Sequence, residues 1–460
     1  MRINFLYIVC ISLLFFGCKH DTSKCPECPK AHAEDVLATT TTAKFLTLSD
    51  VHVDSLLQQT QFQDHNQSDK SVSSQKLWLR AKTKIEATVT AEKPKFMVYL
   101  GDLPGYDHYN EDEEQNIKHR RTNTHLMLEN LRNLKIDIPI LYLPGNNDSL
   151  EGDYHSFSTD SITANTVLTN DADTTNPWPI INSKSSSITV GVPDFNSEFG
   201  FYSVDLTEKG NTLKVIALNT VIFTHSHYTD DDKVSQQAAT NIQMAWLEKK
   251  MLTLGKNDRV LLVMHIPIGD DGYSGKPMWN QALTYKGKGL HNSFLDLIEK
   301  YQPNIVGLLN GHTHLDGLRR IYKTKTSTNP KASDMTSFSI TTPGIAVNHG
   351  NNPAFKTFTY HTTNFDLLDF KTHYATPTMH VAHPNNHGYN NTDFKFVDGS
   401  TYTFKDAYKI TDPNETIFTS LMGQSDPQII RHMNCTLGAN SNRDVKLSQD
   451  GLKSINVFKN

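Results

Sequence analysis

Five apolar runs in this chain end in residues that bind metals. They are Asp50-Val51-His52 after "FLTLS", Gly101-Asp102 after "FMVYL", Asn146 in "LYLPGNND", His265 after "RVLLVM", and His312-Thr313-His314 after "NIVGLLNG". Carboxylate, imidazole and amide oxygen together suit zinc, manganese or iron better than calcium, which prefers oxygen alone. A lone histidine at a strand end is more often a satisfied structural residue, Asp50 alone could start a turn, and Gly-Asp is a common loop dipeptide. Two imidazoles at i and i+2 behind an apolar strand resist that explanation, and five such endings in one chain resist it further. Seven donors are too many for one tetrahedral ion. Two ions sharing a carboxylate would use them all and keep room for solvent, and metal pairs roughly 3.5–4 Å apart are a usual device for phosphoester hydrolysis. The expected cofactors are two divalent metal ions, zinc first, with manganese or iron as alternatives.

These donors are far apart in sequence, so the fold must gather them. Short runs rich in β-branched and aromatic residues read as buried strands: 45–50, 96–102, 138–148, 213–220, 259–267, 304–314 and 337–344. Helical patterns fall between them at 75–93, 123–134, 237–255 and 292–301, the third with Gly255 as its expected C-terminal cap. Alternating strands and helices argue an α/β fold. In open α/β sheets ligands sit beyond the carboxyl ends of strands, which is where the donors fall.

The remaining residues set the organisation. Residues 1–17 carry Arg2 and an apolar run too short for a confident membrane span, so they read as an export signal. Ending in "FFGC", the run also resembles a bacterial lipoprotein signal, in which Cys18 becomes a lipidated membrane anchor. Residues 18–43 are a polar tether whose "CPEC" has no second pair to make a zinc knuckle. Residues 44–375 form the expected catalytic domain, and 376–460 a polar linker with a small, mainly helical C-terminal subdomain. The chain has 460 residues, a formal net charge of −5 and a pI near 6.5, which offers no basic footprint for nucleic acid.

The ordered set D-x-H, GD, GN, H and G-H-x-H resembles the calcineurin-like metallophosphoesterases over roughly residues 44 to 375. Within that family, "HIPIG", "NGHTHLD", "MAWLEKKM", "TPGIAVNHGNNPAF" and "FDLLDF" resemble the acid sphingomyelinase-like phosphodiesterases, a secreted branch with a C-terminal helical subdomain. The resemblance implies two packed mixed β-sheets flanked by helices. It implies one metal on Asp50, His52, Asp102 and His314, and another on Asp102 (bridging), Asn146, His265 and His312. It also marks two departures. Asn147 stands where many members carry a histidine that stabilises the transition state or protonates the leaving group, although "GNND" also occurs in the endopolyphosphatase-like and bacterial sphingomyelinase-like members. Tyr106 stands where the branch usually has its proton-donating histidine, with His108 as a nearby substitute. A phenol with an ordinary pKa near 10 is a poor acid–base compromise.

The implied activity is phosphodiester hydrolysis, with water activated between the two ions attacking phosphorus in line. The substrate is a phosphorylated small molecule or lipid headgroup. His225, His227 and the loop 271–289 are candidates to face it, each equally readable as solvated loop. A phosphomonoesterase or polyphosphatase would use the same seven ligands, and a non-catalytic metal-binding surface protein would keep them while losing turnover.

Overall fold

The computed structural model describes residues 42–55, 73–107, 112–156, 178–226, 235–272, 274–325, 330–347, 349–377, 394–396, 400–439 and 452–459. The stretch expected to be an export signal, Cys18, the "CPEC" motif, His108 and His227 lie outside those residues. Among the described residues, no helix is long and apolar enough to cross a membrane.

The strands that position the site are β1 (Thr42–Leu48), β2 (Met97–Tyr99), β3 (Ile140–Tyr142), β4 (Phe201–Glu208), β5 (Asn211–Leu218), β6 (Arg259–Met264), β7 (Ile305–Asn310), β8 (Gly317–Lys325), β9 (Met335–Thr341), β10 (Ala354–His361), β11 (Leu367–Tyr374), β12 (Thr401–Thr403) and β13 (Asn456–Lys459). One sheet runs β12-β11-β10-β1-β2-β3 and ends on Ile180–Ile181. The other runs β13-β8-β9-β7-β6-β5-β4 and ends on Thr189–Val190. Both are mixed. β1, β2 and β3 are mutually parallel in the first, and β5, β6, β7 and β9 in the second. Each of the seven expected strands is present, and the five that lead into the candidate metal-binding residues stop before those residues begin.

The helices among the described residues are α1 (Gln75–Glu92), α2 (Glu113–Arg132), α3 (Gln236–Leu252), α4 (Leu290–Lys300), α5 (Phe404–Tyr408), α6 (Ile417–Gly423), α7 (Asp426–Ala439) and the single turn α8 (Leu452–Ile455). Side-chain period explains the layers. In β6, Leu261 and Val263 enter the main core, while Val260, Leu262 and Met264 enter a second core with Met244 and Leu247 of α3 and Phe294 and Ile298 of α4. A strand buried on both faces has no polar side to alternate with, hence its unbroken apolar run. α1 and α2 add Leu77, Trp78, Ile85, Met127 and Leu131 to the main core.

Two helix limits differ from expectation. α2 begins ten residues before 123, at Glu113, because Asp112 caps it by accepting from Gln115 N–H and Glu113 and Glu114 complement its dipole. Its first turns carry almost no apolar residues, so periodicity could not reveal them. α3 stops at Leu252, capped by Thr253, rather than running to Gly255. The Gly255 N–H instead donates to Asp258.

The C-terminal residues supply α5, α6 and α7 and extend both sheets, β12 pairing with β11 and β13 with β8. Arg320 of β8 ties them in through Asn456 Oδ1 (3.0 Å), the Gln424 carbonyl (2.9 Å) and an ion pair with Asp426.

Candidate metal centre

The carboxyl ends of β1, β2 and β3 meet those of β6 and β7 across the two sheets. Asp50 N–H donates to the Gly101 carbonyl (3.0 Å), Gly311 N–H to the His265 carbonyl (3.0 Å), and His265 Nδ1 lies 2.7 Å from the Leu100 carbonyl. The rim is tight. A methyl group on Gly101, whose φ is +103°, would meet Gly145 N and His265 Nδ1 at 2.7 Å. One on Gly344 would meet His314 Nδ1 at 2.9 Å.

All seven residues come together here. His52 Nε2 is 3.2 Å from His314 Nε2, and His314 Nε2 is 3.5 Å from an Asp50 oxygen. Asn146 Oδ1 is 2.9 Å from both His265 Nε2 and His312 Nδ1. Asp102 stands between the groups, its Oδ2 lying 3.3 Å from His52 Nε2 and 3.2 Å from His265 Nε2. That single oxygen faces both clusters, which is where a bridging ligand belongs. Asp50, His52, Asp102, His312 and His314 all hold positive φ, between +46° and +73°. Side chains rarely adopt that region, and each such residue costs about 1–3 kcal/mol, a strain that gathers at functional sites.

The donor chemistry fits a cation. Nδ1 of His52, His265 and His314 approaches the carbonyls of Pro104 (3.1 Å), Leu100 (2.7 Å) and Ala346 (3.2 Å). A carbonyl only accepts, so in the neutral imidazole each Nδ1 carries the proton and each Nε2 offers a lone pair. Asn146 Nδ2 donates to Asp153 Oδ1 (2.6 Å), which turns the amide oxygen toward His265 and His312. Acceptors therefore face acceptors in a buried space, an arrangement that divalent cations relieve. Asp50, His52 and His314, and Asp50, Asp102 and His265, place ligand atoms within 4.8 Å of one another.

Ionisation follows the same logic. Burial pushes His312 down to about 3 and His314 well below the ordinary value, keeping both imidazoles neutral. Burial also opposes charge on His265, yet Asp102 and Asp50 beside it raise it to about 9, so that in the metal-free chain a proton offsets their charge. Asp50 is raised by its burial. Burial opposes ionisation of Asp102 as well, but His265 and His52 hold its carboxyl below the usual carboxylate range.

The three candidate catalytic residues separate. Asn147 turns onto Asp102, its backbone N–H donating to Oδ1 (2.8 Å) and its Nδ2 to Oδ2 (3.2 Å). Tyr106 stacks on His52, centroids 4.8 Å apart, and lines the adjoining cavity. Burial, with Asp102 and Asp153 nearby, pushes its phenol well above 10 and keeps it protonated. His108 lies outside the described residues.

The cavity measures about 690 Å³ and is lined by His225 and by residues 271, 274 and 276–278 of the expected substrate loop. Three features of the site have no signal of their own in the sequence. His349, which lies within the stretch "TPGIAVNHGNNPAF", packs on His314 with centroids 4.7 Å apart. Asp148 accepts from the backbone N–H of Asp102 (2.9 Å), Leu103 (2.8 Å) and Gly145 (2.6 Å), pinning two ligand loops together. Asp153 and Tyr154 lie on a loop without periodicity, so only their partners disclose them.

The cyclic GMP-AMP phosphodiesterase SMPDL3A of Rattus norvegicus is 25% identical over 327 residues, spanning 70% of this chain and 64% of that protein. Its Homo sapiens counterpart is 27% identical over 181 residues, 39% of this chain and 37% of that one. The sphingomyelinase phosphodiesterase D of Dictyostelium discoideum is 24% identical over 204 residues, 43% of this chain and 42% of that protein. The matches thus cover less than two thirds of each relative's length. A family model described as calcineurin-like phosphoesterase matches residues 43–316, more than half of the chain, and this protein belongs to that family.

Proposed function

We propose that this protein is an exported, two-metal phosphodiesterase of the sphingomyelinase-like kind. The observation that carries the reading is the convergence of seven donors from both sheets on either side of one Asp102 oxygen. Asp50, His52, Asp102 and His314 would hold one ion, and Asp102, Asn146, His265 and His312 the other. Divalent ions bound there, zinc or alternatively manganese or iron, would supply a water of lowered pKa and positive charge for the phosphoryl oxygens.

The chain's own residues do the rest. Asn147 holds Asp102 in place by donating its N–H to Oδ1 and its Nδ2 to Oδ2, the oxygen that faces both imidazole groups. Tyr106, held protonated on the wall, can donate a hydrogen bond to a non-bridging phosphoryl oxygen. The cavity of about 690 Å³ beside the centre is large enough to take a diester's substituents as well as its phosphoryl group. Lys276 and Tyr154 in its wall suit a phosphorylated small molecule or lipid headgroup. Names carried by the matched relatives, phosphodiesterases of a cyclic dinucleotide and of sphingomyelin, agree with diester substrates.

The test compares a nitrophenyl phosphodiester, whose leaving group needs no proton, with an alkyl phosphodiester such as a phosphocholine lipid, whose leaving group does. The metal-loaded protein should cleave both, the aryl ester faster. Cleavage of neither, with two metals bound, would replace the enzyme by a metal-binding surface protein. Export rests on the apolar N-terminal run, and the mass of the mature chain checks it. Loss of the first seventeen residues with a lipid on Cys18 is expected, and an intact N-terminus would refute export through this signal.

A further inference from the structure

Three of the four histidines at the centre are oriented by main-chain carbonyls, whereas His312 is not. His312 turns Nδ1 toward Asn146 Oδ1 (2.9 Å) and leaves Nε2 facing the Tyr154 hydroxyl (3.4 Å), with the two rings edge to face at 85°. A neutral imidazole that offers Nδ1 to an ion must carry its proton on Nε2, and that proton needs an acceptor. Tyr154 Oη is placed to be that acceptor. The residue before it, Asp153, fixes the other ligand by accepting from Asn146 Nδ2 (2.6 Å).

The backbone closes the unit. Tyr154 N–H donates to the Asn146 carbonyl (2.8 Å), and Tyr154 holds φ +63°, a conformation that an aromatic residue adopts only under constraint. Arg120 of α2 braces the loop from behind. Its buried guanidinium donates to the Leu150 carbonyl (2.7 Å) and lies against Gly152, while its other arm holds Asp107, next to Tyr106.

We infer that Asp153 and Tyr154 are positioning residues for the second metal, a two-residue clasp that sets the rotamer of Asn146 and the tautomer of His312. The inference rests on the two-metal reading above. It is specific to one ion, because nothing in the clasp touches His52 or His314. It also joins that ion to the substrate, since Asp153 and Tyr154 both line the cavity while the carbonyls behind the other three histidines are buried in the rim.

Metal titration of the full-length, metal-stripped protein with zinc and with cobalt tests this, reading sites and affinities by calorimetry and cobalt geometry by visible absorption. The unaltered protein should take two ions. Tyr154→Phe, which removes only the hydroxyl, should weaken one site by about 10–100-fold and leave the other unchanged. Asp153→Ala should do the same, whereas Asp153→Asn should keep near-normal affinity because its amide oxygen can still accept from Asn146. Two sites of normal affinity in both Tyr154→Phe and Asp153→Ala, or equal weakening of both sites, would overturn the clasp. Fewer than two sites in the unaltered protein would overturn the two-metal reading itself.

Discussion

At the scale of single residues, the centre turns on the orientation of one carboxylate. Asp102 has Oδ1 occupied by the Asn147 N–H and Oδ2 turned to the imidazoles of both clusters. Asp102→Asn keeps the volume but replaces one oxygen by a donor and removes the charge. It should abolish phosphodiester cleavage, by at least about 100-fold, and sharply lower the metal content. Full metal content in that variant would show that the bridge lies elsewhere. The seven donors were legible in the sequence because each ends an apolar run, and that regularity is the mark of strands opening onto a common rim. Asp148 and Tyr154 were not legible. Their roles depend on which backbone N–H or imidazole nitrogen they meet, and pairing across 46 or 158 residues leaves no local pattern.

At the scale of elements, α1 is fastened to the first sheet by a half-buried charge at its last turn. Glu92 meets Lys44 of β1 (3.0 Å), and Lys371 (3.2 Å) and His373 (3.5 Å) of β11. Burial opposes the charge on Glu92, but these neighbours lower its pKa from 4.5 to about 2. The folded value lies below the unfolded one, so the stabilisation is present above about pH 4.5 and is lost as pH falls toward 2. His373, driven down to about 4 by its burial, adds a loss as pH falls between 6.5 and 4. Glu92→Gln should cost about 2–3 kcal/mol near neutral pH and flatten the acid limb, as read by urea unfolding at several pH values. An unchanged pH profile would remove Glu92 from that role. Elements were legible where burial was two-sided, as in β6, and illegible where polar contacts hold them, as in the first turns of α2, whose Arg120 packs on Asp107 rather than into the core.

At the scale of the molecule, the donors are divided between the sheets: Asp50, His52, Asp102 and Asn146 follow strands of one, His265, His312 and His314 strands of the other. The rim therefore exists only while the sheets are docked over their shared core, and ions bound there oppose separation. Stripping metal with a chelator should lower the unfolding free energy by about 5 kcal/mol, about 2.7 kcal/mol for each of two ions at a free-metal concentration 100 times its dissociation constant. An identical denaturation midpoint with and without metal would mean that the ions do not bridge the sheets. The carbonyls behind His52, His265 and His314 carry a consequence of another kind. No substitution deletes the oxygen of Pro104, Leu100 or Ala346, so neutral drift among neighbouring side chains leaves those three imidazoles in register. Only His312 depends on a side chain that drift can remove. A single change at position 153 or 154, neither of them a ligand itself, would thus weaken the site of one ion and spare that of the other.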